Sequence, residues 1–419
     1  MFRAQERKTA VSDVLASSVT IPPHVPASLV WDDEIGRFTM ELDDPYVAGA
    51  RLHQGPELVW STHGYRGEQG AWMVVSFEAM REAFTDCERF SSVGSAGTQA
   101  LLGVEWSQVP IEFDLPDQRM YRKFINPLFS PSAVNKRVEL VERTCARLID
   151  AFATRGSCEF ITEFAQLLPS YIFLEVMGMP RDKVEQFLDW ERETLWTDDV
   201  MVRLAGARKI RDYLEELIAE RREQPGDDLI SAITQAEFEG RPITHDEIIG
   251  YCYSLFLGGL DTVMSVMGFS MWHLAINKPL QQRLRENPDL IGKAVDEFLR
   301  AHGVVVMRRT VSVDCEFRGV AMKAGDQVLL PTPLAGRDPR HFDNPHLIDP
   351  DRRDKSGLTF GSGIHTCVGM HLARRELRIV YTQMLERFAD ISLSDPSGVQ
   401  YRTGITWGVD RLPLKLESA

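Results

Sequence analysis

Phe360-Gly361-Ser362-Gly363-Ile364-His365-Thr366-Cys367-Val368-Gly369 sets one cysteine in a glycine-rich loop directly before an apolar-periodic segment. From Val368 onward Ala373, Leu377, Val380, Met384 and Phe388 recur at three- and four-residue spacing, which predicts an amphipathic helix with one face in the core. The cysteine then sits at a helix N-terminus. There the free backbone N–H groups and the positive end of the dipole lower a thiol's pKa and offer hydrogen bonds to a sulfur anion. Such a thiolate can bind iron. Gly361, Gly363 and Gly369 remove side chains where the backbone must turn tightly or approach a flat ligand. A buried structural cysteine needs neither these glycines nor a histidine two positions upstream.

Length and composition bound the rest. With 419 residues the chain is expected to form one large globule, 1–419, and its 44% hydrophobic and 26% charged content is that of a soluble protein. Cys87, Cys145, Cys158, Cys252, Cys315 and Cys367 lack C-x-x-C spacing, so neither a zinc site nor a disulfide framework is expected, and a reducing compartment fits. The net charge of −14 disfavours general nucleic-acid or anionic-membrane binding. Met1–Lys8 lacks the apolar core of a signal peptide. Tyr251–Trp272, the most apolar long stretch, is interrupted by Gly258-Gly259 and Asp261 and reads as a buried helix rather than a bilayer span. A cytoplasmic, monomeric enzyme without a membrane anchor is the expectation.

Residues 1–50 are proline-dotted and are expected to wrap the surface irregularly. β-rich patches are expected near 57–76, 313–332 and 400–416, with Lys323-Ala324-Gly325-Asp326 as a hairpin turn between Cys315–Arg318 and Gln327–Leu330. Helical patterns fill the remainder, broken at prolines such as Pro116, Pro180 and Pro279. The fold class is α+β with helix in large excess. One long helix is predicted from Thr244, whose spacing to Glu247 is that of a capping box, to about Asn277. Inside it, Gly258 and Gly259 each cost about 1 kcal/mol relative to alanine. Close backbone approach, a local opening or helix-on-helix packing would each justify them. Glu297 and Arg300 share one helix face and, as an isolated pair, read as a solvated contact worth about 0.3–0.5 kcal/mol.

The decapeptide matches F-G-x-G-x-H-x-C-x-G at every fixed position and so resembles the haem-binding signature of the cytochromes P-450. That resemblance implies a mainly helical fold with a smaller β-rich region. It also implies haem b with Cys367 as the axial iron ligand, Phe360 and Gly361 packed beside it, and His365 within reach of a propionate. A thiolate on haem iron pushes electron density to the metal and favours O–O cleavage. Gly258, Gly259, Asp261 and Thr262 match the acid–alcohol segment above the haem, where a carboxylate and a hydroxyl manage protons in a dry pocket. Glu297, Arg300 and Arg352 match the E-x-x-R motif and its later arginine, a structural clamp. Arg122, Arg309 and, with less support, Gln118 are candidate propionate partners, since arginine pairs bidentately with carboxylates.

Within the family the chain is most similar to the branch containing bacterial camphor 5-monooxygenase, through Gly240-Arg241-Pro242-Ile243-Thr244, Gly325-Asp326-Gln327 and His371-Leu372-Ala373-Arg374-Arg375-Glu376. The implied activity is a monooxygenase supplied with NADH electrons by a ferredoxin reductase and a [2Fe–2S] ferredoxin, acting with O2 on a terpenoid or norisoprenoid. Trp106 replaces a ketone-binding tyrosine of that branch, and Ser254 and Met307 replace a leucine and an aspartate. Trp106, Ile111, Leu195, Trp196, Leu257, Val305 and Ile405 are the expected pocket. A peroxide-driven peroxygenase or a non-catalytic haem sensor would share Cys367 but have no need of Asp261-Thr262. An acidic ferredoxin needs a basic face, for which Arg119, Arg122 and Lys123 are candidates.

Overall fold

A computed structural model describes residues 20–64 and 70–419; residues 1–19 of the expected N-terminal wrap lie outside the described residues. The helices that position the site are α1 (Asp117–Leu128), α2 (Val184–Leu195), α3 (Val200–Glu223), α4 (His245–Gly259), α5 (Asp261–Ile276), α6 (Ile291–Ala301) and α7 (Met370–Arg387). The stripe read from Val368 onward becomes the buried face of α7, with Ala373, Leu377, Val380 and Met384 inside the core. Arg374 ties α7 to α6 by donating Nε to Asp296 Oδ1 at 3.0 Å.

The helix predicted over 244–277 is two helices. Its start is as expected: Thr244 Oγ1 accepts from the Glu247 N–H at 3.3 Å, and Glu247 Oε2 accepts from the Thr244 N–H at 2.7 Å. The break falls at Leu260 (φ −103°, ψ −51°), immediately after the two glycines. They serve different purposes. A Cβ on Gly259 would lie 2.3 Å from the Phe173 ring, so this glycine admits a neighbouring helix, whereas a Cβ on Gly258 would meet nothing within 4 Å. The stretch His245–Ile276 is long and apolar enough to cross a membrane, yet 61% of its most apolar window is buried within the protein, as in a core helix.

Strands β1 (Val30–Trp31), β2 (Leu58–Ser61), β3 (Ala71–Val74), β4 (Phe90–Ser91), β5 (Val306–Val311) and β6 (Gln327–Pro331) form one sheet in the order β1-β2-β3-β6-β5-β4. The parallel β3/β6 pair, with Val328 opposite Trp72, joins strands far apart in sequence. The expected hairpin is corrected. Cys315–Phe317 pairs with Val320–Met322 across Arg318-Gly319, both at positive φ (53° and 77°), while β6 returns antiparallel to β5. Two left-handed residues match the twist of a tight hairpin, which the Lys323–Asp326 segment does not supply. A last hairpin, β7 (Gln400–Arg402) with β8 (Gly408–Arg411), lies against α5.

Candidate active site: a thiolate cavity between broken and unbroken helices

The cysteine loop is held by its own backbone. Cys367 N–H donates to Phe360 O at 2.9 Å, Gly361 N–H to Leu358 O at 2.8 Å, and Thr366 Oγ1 to Gly363 O at 2.8 Å. Gly361 and Gly363 sit at φ 66° and 71°, and a Cβ on Gly363 would come 2.9 Å from the carbonyl oxygen of Phe84. Only glycine fits both demands. Gln118 Nε2 supports the loop from outside, donating to Ile364 O at 2.6 Å.

Cys367 opens onto a cavity of about 440 Å³ that Thr262, Gly258 and Gly259 bound from the helix break. The N–H groups of Gly369 and Met370 point at the sulfur, as expected at a helix start, and Arg122 and Arg374 add positive charge. The net direction is nevertheless the opposite of that expected from the helix end alone: burial pushes the thiol up, outweighing all four favourable groups.

Arg122, Arg309 and His365 also line this cavity. Arg309 is 1% exposed, spends Nη1 on its neighbour's carbonyl (Arg308 O, 2.8 Å), and keeps Nη2 buried with no partner. His365 Nε2 is buried and unpartnered as well. Burial lowers Arg309 to about 10, and burial together with the Arg309 charge lowers His365 to about 4. Buried donors rarely go without acceptors. Two of them, beside a cysteine at a helix start, fit a flat ligand carrying carboxylates, which is what haem is. Phe360 stacks under the Arg374 guanidinium (4.8 Å to the ring centre) and with Gly361 forms the loop side of the wall.

Beneath the loop, Glu297 and Arg300 are 0% and 1% exposed rather than solvated. Arg300 Nε and Nη2 donate to the two Glu297 oxygens at 2.8 and 2.9 Å, and Arg352 Nε donates to Glu297 Oε1 at 2.9 Å. The arginines then pin the carbonyls of Pro345 (3.1 Å) and Asp343 (2.7 Å), and Thr359 Oγ1 bonds Leu299 O, so α6 and the segment leading to Cys367 move as one.

Above the loop, Thr262 faces the cavity and its Oγ1–H reaches Gly258 O at a long 3.4 Å. Asp261 stands behind the wall, 1% exposed, with Oδ1 held by Arg402 Nη2 at 2.5 Å and by Ser265 at 3.3 Å. Arg402 also binds Asp410. Neither Arg402 nor Asp410 was legible as a partner in sequence, because they lie on a hairpin over a hundred residues beyond Asp261.

Among the expected pocket residues, Ile111, Leu195, Leu257, Val305 and Ile405 line the cavity, together with Ser254 and Met307. Trp106 and Trp196 do not, and their assignment is corrected. Trp106 is 8% exposed and packs into the helical core against Tyr253 (ring centres 5.2 Å apart). Trp196 lies under the Arg402 guanidinium, 3.4 Å from its ring centre, in a cation–π stack. Gln108 and Arg203, unremarkable in sequence, are wall residues instead.

A cysteine at a helix start that opens onto a cavity, buried unpartnered donors of Arg309 and His365 beside it, and a threonine hydroxyl at a broken helix fit a haem-thiolate site. The sequence model of the cytochrome P450 family matches residues 194–397. The chain is 33% identical to probable cytochrome P450 127A1 of Sinorhizobium fredii over 94% of its length and 96% of that protein's. It superposes on the crystal structures of cytochrome P450 CYP101C1 (32% identity, 95% and 100% of the chains, TM-score 0.84) and of CYP101J2 (30%, 95% and 99%, 0.84). It is also 29% identical to the steroid C26-monooxygenase of Mycolicibacterium smegmatis over 84% and 88% of the two chains. The protein belongs to the cytochrome P450 family and is a haem b monooxygenase.

Proposed function

We propose that this enzyme inserts one oxygen atom of O2 into a C–H bond of a compact apolar molecule, a terpenoid or norisoprenoid, with NADH electrons delivered through a ferredoxin reductase and a [2Fe–2S] ferredoxin in the cytoplasm. The observation that carries the substrate class is the wall itself: Ile111, Leu195, Leu257, Val305 and Ile405 face the cavity onto which Cys367 opens. Shape, not a rich set of hydrogen bonds, then selects the substrate. Haem held by Cys367 supplies the O2 chemistry; Arg122, Arg309 and His365 would hold its carboxylates.

The chain's own groups divide the remaining work. Apolar side chains exclude water, Thr262 presents a hydroxyl to the cavity, and Asp261, fixed by Arg402 behind the wall, is the group assigned to supply protons to it. Thr262→Ala is expected to bind substrate as the wild type does while diverting electrons to hydrogen peroxide, cutting product per NADH by roughly tenfold or more. Product and peroxide assayed against NADH consumed decide this; undiminished coupling removes Thr262 from the proton route.

A screen of monoterpenoids and norisoprenoids for a haem spin-state shift, followed by turnover with a ferredoxin system and with peroxide alone, tests the assignment. Failure of every compound to shift the spectrum rejects the substrate class. Peroxide turnover equal to ferredoxin turnover rejects the electron route. For ferredoxin docking, Arg119 and Lys123 are exposed, while Arg122 turns into the cavity and drops out of the docking face.

A further inference from the structure

Away from the cysteine loop the cavity has a differently built end. The last turn of α2 brings Thr194 and Leu195 to its wall, the first turn of α3 brings Arg203, and the short helix Thr98–Leu102, which packs on α3, brings Thr98 and Leu101. The two longer helices meet closely: a Cβ on Gly206, one turn beyond Arg203, would lie 2.7 Å from Thr194 Oγ1. The cysteine loop packs instead on Phe84, and the residues just before it are tied to α6. Arg203 and Cys367 therefore belong to different walls of one cavity.

Most polar side chains at the Arg203 end are already paired. Gln108 Nε2 donates to Thr98 Oγ1 at 2.7 Å, Thr194 Oγ1 donates to Trp190 O at 2.7 Å, and Arg308 gives Nε and Nη2 to the carbonyls of Ser95 and Gly94 at 2.9 and 3.0 Å. Arg203 is the exception. Its Nε is buried with no partner, and its side chain makes no hydrogen bond or ion pair among the described residues. The neighbouring acids of α2 and α3 do not answer it. Asp199 caps α3, its Oδ1 accepting from the Met201 N–H at 2.8 Å; Glu193 takes Lys209 at 2.7 Å and Asp189 takes Arg192 at 2.9 Å; the buried Glu191 leaves Oε1 without any donor. A guanidinium cannot shed its charge, and a buried N–H rarely goes without an acceptor. The acceptor has to arrive with what enters the cavity.

We propose that Arg203 is a substrate-anchoring residue and that the preferred substrate carries a carboxylate: a compact terpenoid or norisoprenoid acid rather than a bare hydrocarbon or ketone. The carboxylate pairs with the guanidinium at the α2–α3 end, and the apolar body lies against Ile111, Leu257, Val305 and Ile405. A ketone oxygen would satisfy one N–H and leave the charge uncompensated, whereas a carboxylate can accept from two N–H groups at once and supplies the opposite charge. This inference narrows the substrate class proposed above and rests on this cavity being the substrate site.

Two acid–ester pairs test it: perillic acid with methyl perillate, which share a compact monoterpenoid skeleton, and octanoate with methyl octanoate, which do not. Each is titrated calorimetrically into the haem-loaded enzyme at neutral pH, where the acids are ionised. Wild type is expected to bind each acid roughly tenfold or more tightly than its ester. Arg203→Leu should weaken the acids by roughly 10–100-fold, the span of a hydrogen bond to a charged group, and leave the esters within about twofold. Arg203→Lys, which keeps the charge but not the planar fork, should retain part of the preference. Esters that bind wild type as well as the acids do overturn the anchor without recourse to any variant, and leave the terpenoid class standing. An acid preference that survives in R203L overturns it too. An Arg203-dependent preference for octanoate, with neither perillic compound bound, upholds the anchor and rejects the terpenoid skeleton; no binding by any of the four overturns both.

Discussion

A Cys367→Ala variant is expected to keep its fold and lose hydroxylation by at least ~10³-fold, which corresponds to roughly 4 kcal/mol of barrier. The fold survives because the loop is built from backbone contacts that alanine retains: the Cys367 N–H to Phe360 O bond, the turn at Gly363, and the close approach of Gly363 to Phe84. The chemistry should not survive, because Cys367 is the proposed iron ligand and a thiolate would push electron density toward haem iron. Arg309 and His365 still offer donors to the haem carboxylates, so some haem should be retained. The checks are a ferrous–CO spectrum, which should lose its thiolate signature, and a circular dichroism melt, which should stay close to wild type. A variant that keeps both the signature and turnover would show that another side chain holds the metal.

Glu297→Ala should produce the largest loss of stability. Glu297 is fully buried and serves two arginines, one of them 1% exposed, and it also accepts from the Asp349 N–H at 3.1 Å. Removing it leaves the Arg300 charge buried without its counter-ion, a change that costs about 3–5 kcal/mol in comparable pairs. Arg300 and Arg352 also tie down the carbonyls of residues 336–347, so the segment running toward the cysteine loop should loosen and haem retention fall. Chemical denaturation with and without haem measures both effects. A loss under about 1 kcal/mol, the range of an exposed ion pair, would contradict this assignment.

The two variants bracket how much could be read in advance. Cys367 was legible because its glycines, its histidine and the apolar period of the following helix are all local, and local constraints survive in a one-dimensional string. Glu297 and Arg300 were legible only by resemblance; their spacing alone reads as a surface pair, and burial reverses its worth. Trp106 and Trp196 were misassigned for the same reason. Large apolar side chains near a pocket in sequence can pack away from it, and here Tyr253 and Arg402 claim them. The direction of the Cys367 titration also turned on burial, which no helix-end argument contains.

The amino-acid order by itself marked a cysteine at a helix start and the capped helix that begins at Thr244, while the haem, its cysteine ligand and the acid–alcohol pair were expectations carried by resemblance to a family. The motifs that carry that resemblance are made of residues a few positions apart. Tertiary structure decided what required distant segments to meet: the break at Leu260 with Phe173 against Gly259, the sheet joining strands far apart in sequence, and the charge cluster in which Arg402 joins Asp261 and Asp410. The physical reason is desolvation. A side chain's charge, hydrogen bonds and chemical use depend on what replaces its water, and that is set by neighbours which only the folded chain supplies.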